Sequence, residues 1–228
     1  MAHFHIPKPL HGWREFGGEV GIIVLGVLIA LGAEQAVENI RQRNDVGELR
    51  RGIRAELSND RARWISIHEQ EPCELQRLGA LDQWVRSAPA NARLADLPGP
   101  LIWNLHWSAW DAAKASNALE HISASERLTY SDLYDAMQNQ QRYIQSSQIE
   151  WQNIASLAAT ADQENSRLQL RQAVARERYE ILSRRRVNYG YLNQRFDALG
   201  ISQDANGLAA TGTAADPQVL CAPLESAG

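Results

Sequence analysis

Lysine is nearly missing from this chain: 21 of its 23 basic side chains are arginine, and 27 carboxylates outnumber them for a net charge of −4. A protein that grips a polyanionic backbone wants a basic surplus, so nucleic acid is excluded as a partner at the level of the whole chain. Cysteine is scarce, with Cys73 and Cys221 the only two. An even pair suits one disulfide in an oxidising compartment, but two free thiols would be equally ordinary, so a Cys73–Cys221 bond stays open. The chain has no P-loop, no G-x-G-x-x-G, no H-E-x-x-H, no C-x-x-C and no G-x-S-x-G. No period-two segment is long enough for a sheet, and no pair of carboxylates can be placed around a common cleft. Hydrolase and transferase chemistry usually sits on strands and glycine-rich turns, so the chain is not expected to be an enzyme, and no cofactor is expected. His106 and His121 stand fifteen residues apart without a carboxylate–cysteine set at ligand spacing. That reads as structural rather than metal-binding.

What is present begins with an ordinary average: 44% apolar and 22% charged residues over 228 positions, enough for one or two domains and inconsistent with wholesale disorder. The mean hydropathy of −0.40 looks soluble, but it hides one very apolar block. Val20 to Ala33, VGIIVLGVLIALGA, has fourteen positions without a polar side chain. As a helix that is about 21 Å, short of a hydrocarbon core of about 30 Å. Trp13, Phe16, Gly17 and Gly18 extend it backwards, and Ala36 and Val37 forwards. Glu19 and Glu34 fall about one turn from an interface, and Trp13 with Arg14 fits an interfacial anchor.

Three readings of the block compete. A buried core helix would have to hide a helix that is apolar on every face. A cleaved signal peptide fits the length, with Ala30-Leu31-Gly32 as a cleavage site, but Lys8 and Arg14 are opposed by Glu15 and Glu19. An uncleaved single anchor is favoured: an interfacial segment over 1–15 and a transmembrane helix over 16–37. Within it Gly17 and Gly21 form a G-x-x-x-G, and Gly26 with Ala30 repeats the small-x-x-x-small spacing. Such spacing lets helix backbones approach closely in lipid, so a packing face for self-association or for another membrane protein is expected.

Residues 5–38, HIPKPLHGWREFGGEVGIIVLGVLIALGAEQAVE, and 109–135, AWDAAKASNALEHISASERLTYSDLYD, carry a resemblance across about a quarter of the chain. In their order and spacing they resemble an uncharacterised family of small bacterial single-pass membrane proteins. The resemblance implies a membrane anchor plus a helical extramembrane domain, and it implies no activity.

Orientation rests on few charges. Lys8 and Arg14 precede the block, whereas Arg41, Arg43, Arg50 and Arg51 follow it. Counted literally, the excess on the C-terminal side puts the large part in the cytoplasm, but the rule is weak for long domains. His3, His5 and His11 add positive character to the short end, and the cysteine pair suits an oxidising space. The expected location is therefore the bacterial inner membrane with a periplasmic C-terminal domain, and the cytoplasmic orientation remains the alternative.

Beyond the anchor the pattern is helical, and the fold class is all-α. Glu34 to Gln70 contains no proline, and Val37, Ile40, Val46, Leu49, Ile53 and Leu57 keep three–four spacing. The anchor should therefore run on as a long stalk. Pro72 restarts the helix, and Leu75, Leu78, Leu81 and Val85 mark a short amphipathic helix, completing a stalk region over 38–88. A loop is expected over 89–102 and a helical bundle over 103–199. Trp103, Trp107 and Trp110 fall at i, i+4 and i+7. They read as a ligand platform, a membrane-surface belt or plain core, and the helical spacing favours core.

Ser123 and Glu126 match a capping box. Leu133, Met137, Gln140, Ile144, Ser147, Trp151, Ile154 and Ala158 then recur at four–three steps, and the polar members loosen the seam toward a partner or an oligomer. After a break at Thr160–Asp162, Leu168, Ala175, Leu182, Tyr189 and Phe196 fall at strict sevens, with Leu192 and Leu199 on the next row. Two such helices make an antiparallel hairpin. Arg184–Arg186 reads as a solvated face paired with Glu177 and Glu180 rather than as a docking patch. Gly200 is a helix stop, and 200–228 has the composition of a flexible tail, unless a neighbouring subunit or a disulfide at Cys221 holds it.

Two functions fit. The first is a non-enzymatic structural or accessory subunit of a larger membrane-protein complex, docking by its transmembrane helix and helical domain. The second is a membrane-anchored sensor or ligand-binding module. Only nineteen residues precede the apolar block, so a sensor would need a separate output partner. An apolar pocket beside Trp107 would favour the second, and a filled core the first.

Overall fold

The computed structural model describes residues 12–94, 96–204 and 220–224. Among the described residues there are six α-helices: α1 (Trp13–Glu69), α2 (Glu71–Ser87), α3 (Ser108–Lys114), α4 (Ala124–Ala159), α5 (Glu164–Glu180) and α6 (Arg186–Ala198). A 3₁₀ turn, Asn117–His121, follows α3, and a π turn, Ile181–Arg185, joins α5 directly to α6. Among the described residues there is no strand, so the fold is all-α.

The chain divides into two units, 1–48 and 49–228. In the first, the described part is the beginning of α1. Of the expected interfacial segment 1–15, residues 1–11 lie outside the described residues. The second unit begins inside α1, which corrects the expected boundaries: residues 49–88 are not a stalk, and the helical domain does not begin at 103. Ile53 and Leu57 are fully buried, as are Leu78 and Leu81 of α2. The same three–four spacing that suggested a stalk continues to Trp64 and Ile67, and a stripe of that length needs a surface to cover it.

Local signals set the helix ends. Pro72 occupies the first turn of α2, where its missing N–H costs nothing. At the head of α4, the Ser123 Oγ accepts from the Glu126 N–H at 3.2 Å. The Glu126 carboxylate does not complete the capping box; it takes two bonds from Arg50, at 2.7 and 2.8 Å. Gly200 has φ of +60°, the left-handed conformation that glycine adopts without strain. Beside it, Arg54 donates to the carbonyl of Leu199 at 3.1 Å, satisfying a helix-end acceptor.

One core of the second unit joins Leu78, Leu81 and Val85 of α2, Trp151, Ile154 and Ala158 of α4, and Leu170, Ala173 and Val174 of α5. All eight seam positions expected on α4, from Leu133 to Ala158, are buried. The row expected on α5 is not: Leu168, Ala175 and Leu182 are exposed. The buried row is Leu170, Ala173, Val174, Glu177, Ile181 and Arg185, passing to Leu192 and Phe196 of α6. Three of those positions are alanine, glutamate and arginine, invisible to a search for large apolar residues. The π turn also inserts a residue that strict sevens do not allow for.

The loop is longer than expected. Helix α3 starts at Ser108, so Trp103 and Trp107 are not on a helix. Residues 99–107 have no regular secondary structure, and within them Trp103 and Leu105 are buried and Asn104 and His106 exposed. That alternation is the period-two signature of extended backbone, and it is present in the sequence as Trp-Asn-Leu-His-Trp.

Of the expected tail, 205–219 and 225–228 lie outside the described residues. The described parts pack against the domain. Ile201 and Leu220 are buried, and the Asp204 N–H donates to the Ser58 carbonyl at 3.2 Å. Cys73 and Cys221, 148 residues apart, are joined by a disulfide.

Candidate functional site

Among the described residues, nothing covers the apolar block. One helix among the described residues is long and apolar enough to cross a membrane, and none of its most apolar window is buried. Ile22 is 74% and Ile29 64% exposed. A Cβ added at Gly17, Gly21 or Gly26 would meet no atom within 4 Å. The expected packing face is not one face. Nine residues separate Gly17 from Gly26 and Gly21 from Ala30, and at about 100° per residue that is half a turn. Gly17 with Gly21, and Gly26 with Ala30, therefore lie on opposite sides of the helix.

The tryptophan segment is held by a ladder of polar side chains on α1, spaced a turn apart so that they share a face. Glu56 accepts from the Ser108 hydroxyl and the Ala109 N–H, at 2.6 and 2.9 Å, and so caps α3. Asp60, with no exposed surface, accepts from the His106 N–H at 2.8 Å and from Arg63 at 2.7 Å. Burial pushes the Asp60 carboxyl up; the His106 N–H and Arg63 oppose the shift without cancelling it. The Ser66 hydroxyl accepts from the Trp103 indole at 3.3 Å, and Gln70 accepts from the Leu101 N–H at 2.8 Å. From α4, Gln141 accepts from the Leu105 N–H at 2.8 Å.

These bonds do for the extended segment what a neighbouring strand would do. Trp110 is buried and stacked on Tyr134, with ring centroids 5.4 Å apart, and Trp107 is half-buried. The three tryptophans thus enter the domain by different routes rather than as one stripe. Two clefts, of about 330 and 240 Å³, are lined by other residues: the first by Asp132, Asp135 and Tyr143, the second by Gly99, Gln148 and Trp151.

The feature that sequence reasoning missed is a buried cluster of charge at the π turn. Arg185, 6% exposed, donates from both terminal nitrogens to the Glu74 carboxylate, one bond at 3.0 Å. Its second partner is Glu177, at 3.5 Å. Glu177, 2% exposed, accepts from the Ser147 hydroxyl at 2.5 Å. Glu71 is also buried, with one oxygen 2.9 Å from Nδ1 of His68, whose ring stacks on Tyr189 at 3.6 Å. One turn from Glu74, Arg77 donates to the Leu220 carbonyl at 3.1 Å, next to the disulfide at Cys221.

Three carboxylates crowd around the Arg185 guanidinium, and the protonation states follow. Burial raises the Glu177 carboxyl to about 7; the Ser147 hydroxyl and Arg185 favour its anion, but the charges of Glu74 and Glu150 work against it. Glu71 is likewise pushed up, chiefly by burial, with His68 and Arg185 pulling the other way. Burial alone would lower Arg185, yet the Glu74, Glu177 and Glu71 carboxylates outweigh it and hold the guanidinium charged. None of these groups lines either cleft. The arrangement is closed on itself: its hydroxyl donates to the Glu177 carboxylate, and its guanidinium donates to Glu74 and Glu177.

The signal for the cluster was present but disguised. Glu177 and Arg185 sit on the inward row of Leu170, Val174 and Ile181, but in sequence they read as part of a solvated face. Arg184, by contrast, does pair at the surface with Glu180, at 3.1 Å. His121 and His106 are exposed, and among the described residues no group of three metal-ligating side chains converges.

No protein-family model matches the chain, and no curated protein and no solved structure proved similar to it.

Proposed function

We propose that this chain is a non-enzymatic single-pass protein of the bacterial inner membrane, an accessory subunit whose helical domain contacts a larger membrane-protein assembly. The observation that carries the reading is the bare apolar block of α1. Ile22, Ile23, Leu25, Leu28, Ile29 and Leu31 are each more than half exposed. At about 1.5–3 kcal/mol per large apolar side chain, that much surface is not left in water. A lipid bilayer covers an all-round apolar helix, whereas another protein surface covers only one side of it. The two small-residue pairs on opposite sides of the helix leave room for a neighbouring helix on each.

The Cys73–Cys221 disulfide supports a periplasmic domain, because such bonds persist in oxidising compartments. The engagement of Trp103 and Trp110 in packing favours the accessory role over a ligand-binding module built on the tryptophans. The resemblance of 5–38 and 109–135 to single-pass proteins points the same way.

A C-terminal alkaline-phosphatase fusion and thiol alkylation in intact cells test the orientation together. The expected result is an active reporter and cysteines that alkylate only after reduction; an inactive reporter with freely alkylated cysteines would place the domain in the cytoplasm. Extraction in mild detergent tests the subunit role, which predicts a particle larger than one chain and is refuted by a lone monomer.

A further inference from the structure

The row of strict sevens on α5 is a pattern that the core does not use. Leu168 is 58%, Tyr179 63% and Leu182 42% exposed, and Ala175 is exposed between them. At about 100° per residue they form one stripe, opposite the buried Leu170, Val174 and Ile181. The π turn prolongs it. Its i→i+5 bonding shifts the register by one residue, so that Val187, 69% exposed, continues the row beyond Leu182. The ridge from Leu168 to Val187 is about 28 Å long.

Along one side of this ridge run Arg171, Arg178 and Arg186, all exposed and, among the described residues, without an ion pair. The arginines off that side are paired: Arg176 with Glu150 at 2.9 Å and Arg184 with Glu180 at 3.1 Å. An apolar heptad row with a line of unpaired guanidinium groups beside it is half of a helix–helix interface, and the missing half must bring carboxylates.

We propose that the outer face of α5 docks an acidic amphipathic helix of a partner protein, with apolar side chains on the Leu168–Leu182 row and carboxylates on the arginines. This rests on the accessory-subunit reading and specifies the chemistry of the contact. A second copy of the chain does not fit. With Leu168 and Leu182 at the first heptad position, Arg171 and Arg178 take the fourth. In a parallel pair they oppose themselves across the seam, and in an antiparallel pair each meets the apolar first-position row, which leaves both guanidinium groups without a carboxylate.

The test uses the full chain in nanodiscs of neutral lipid and two labelled helical peptides of equal length. Both carry leucine at the seam; one carries glutamate and the other lysine at the flanking positions. Fluorescence anisotropy is expected to show at least tenfold tighter binding of the glutamate peptide. Joint reversal, Arg171→Glu with Arg178→Glu and Arg186→Glu, should invert that preference. Leu182→Asp should abolish binding while leaving the melting temperature unchanged, since the side chain is exposed.

Equal binding of both peptides, binding of neither, or an uninverted preference in the triple variant would overturn the proposal. So would dimerisation through α5, or protection of α5 from hydrogen exchange by anionic lipid in the absence of peptide. A chain that extracts within a larger particle but fails to distinguish the peptides would keep the accessory reading and lose this one.

Discussion

Replacing Glu177 by glutamine should remove most of the pH dependence of the domain's stability and make it more stable above neutrality. The Glu177 carboxyl rises from its ordinary 4.5 to about 7 in the fold. Such a shift, at about 1.36 kcal/mol per pH unit, corresponds to about 3 kcal/mol. The sign follows from which state holds the proton. Between pH 4.5 and 7 the folded chain keeps a proton that the unfolded chain has released, so stability rises as the pH falls. The contribution is complete below about 4.5 and is lost as the pH rises through 7.

Glutamine keeps the acceptor for the Ser147 hydroxyl and removes the buried charge, and Arg185 retains its two bonds to Glu74. Urea unfolding followed by tryptophan fluorescence at pH 5, 6, 7 and 8 reads the effect. The wild type should lose stability steadily across that range. Glu177→Gln should be flatter and should exceed the wild type at pH 8 by up to about 3 kcal/mol. A residual slope of the same sign is expected from Glu71 and Asp60, both of which burial raises. An unchanged slope in Glu177→Gln, or a variant weaker than the wild type at every pH, would refute the description of the cluster.

Other perturbations address the remaining contacts. Arg185→Ala leaves Glu74 and Glu177 buried without their cation and should cost about 3–5 kcal/mol in the same unfolding assay. Exchanging all three residues for apolar ones should recover much of that loss. Cys221→Ser opens a closure spanning 148 residues and should lower stability by about 2–5 kcal/mol, a loss that reduction of the wild type should reproduce in thermal melts. Gly200→Ala places a side chain at φ of +60° and should cost about 1 kcal/mol, read as a lower melting temperature.

Much of the fold was legible because single residues carried single signals. Pro72, Ser123 and Gly200 each mark a helix end by a mechanism local to a few residues, and α4 keeps an uninterrupted inward row from Leu133 to Ala158. The extended stretch around Trp103 misled because its tryptophans satisfy two periods: i, i+4 and i+7 for a helix, and i, i+2 and i+4 for Trp103, Leu105 and Trp107. The polar ladder on α1, with Gln141 of α4, decides between them, and both act from more than thirty residues away. The inward row of α5 was hidden because its charged members are buried by partners on other helices. Glu74 lies 111 residues from Arg185. Pairing at that range is set by tertiary packing, and no local pattern announces it. The outward row was legible as a heptad, but periodicity does not say which side of a helix faces the core.

The central claim is that the exposed apolar stretch of α1 stays in the protein and lies in a bilayer. The most direct measurement is the intact mass of the chain retained in membranes after an alkaline carbonate wash. The account predicts a membrane-bound chain whose mass still includes residues 16–37. A chain released into the wash, or a mature form shortened past Ala30, would contradict it.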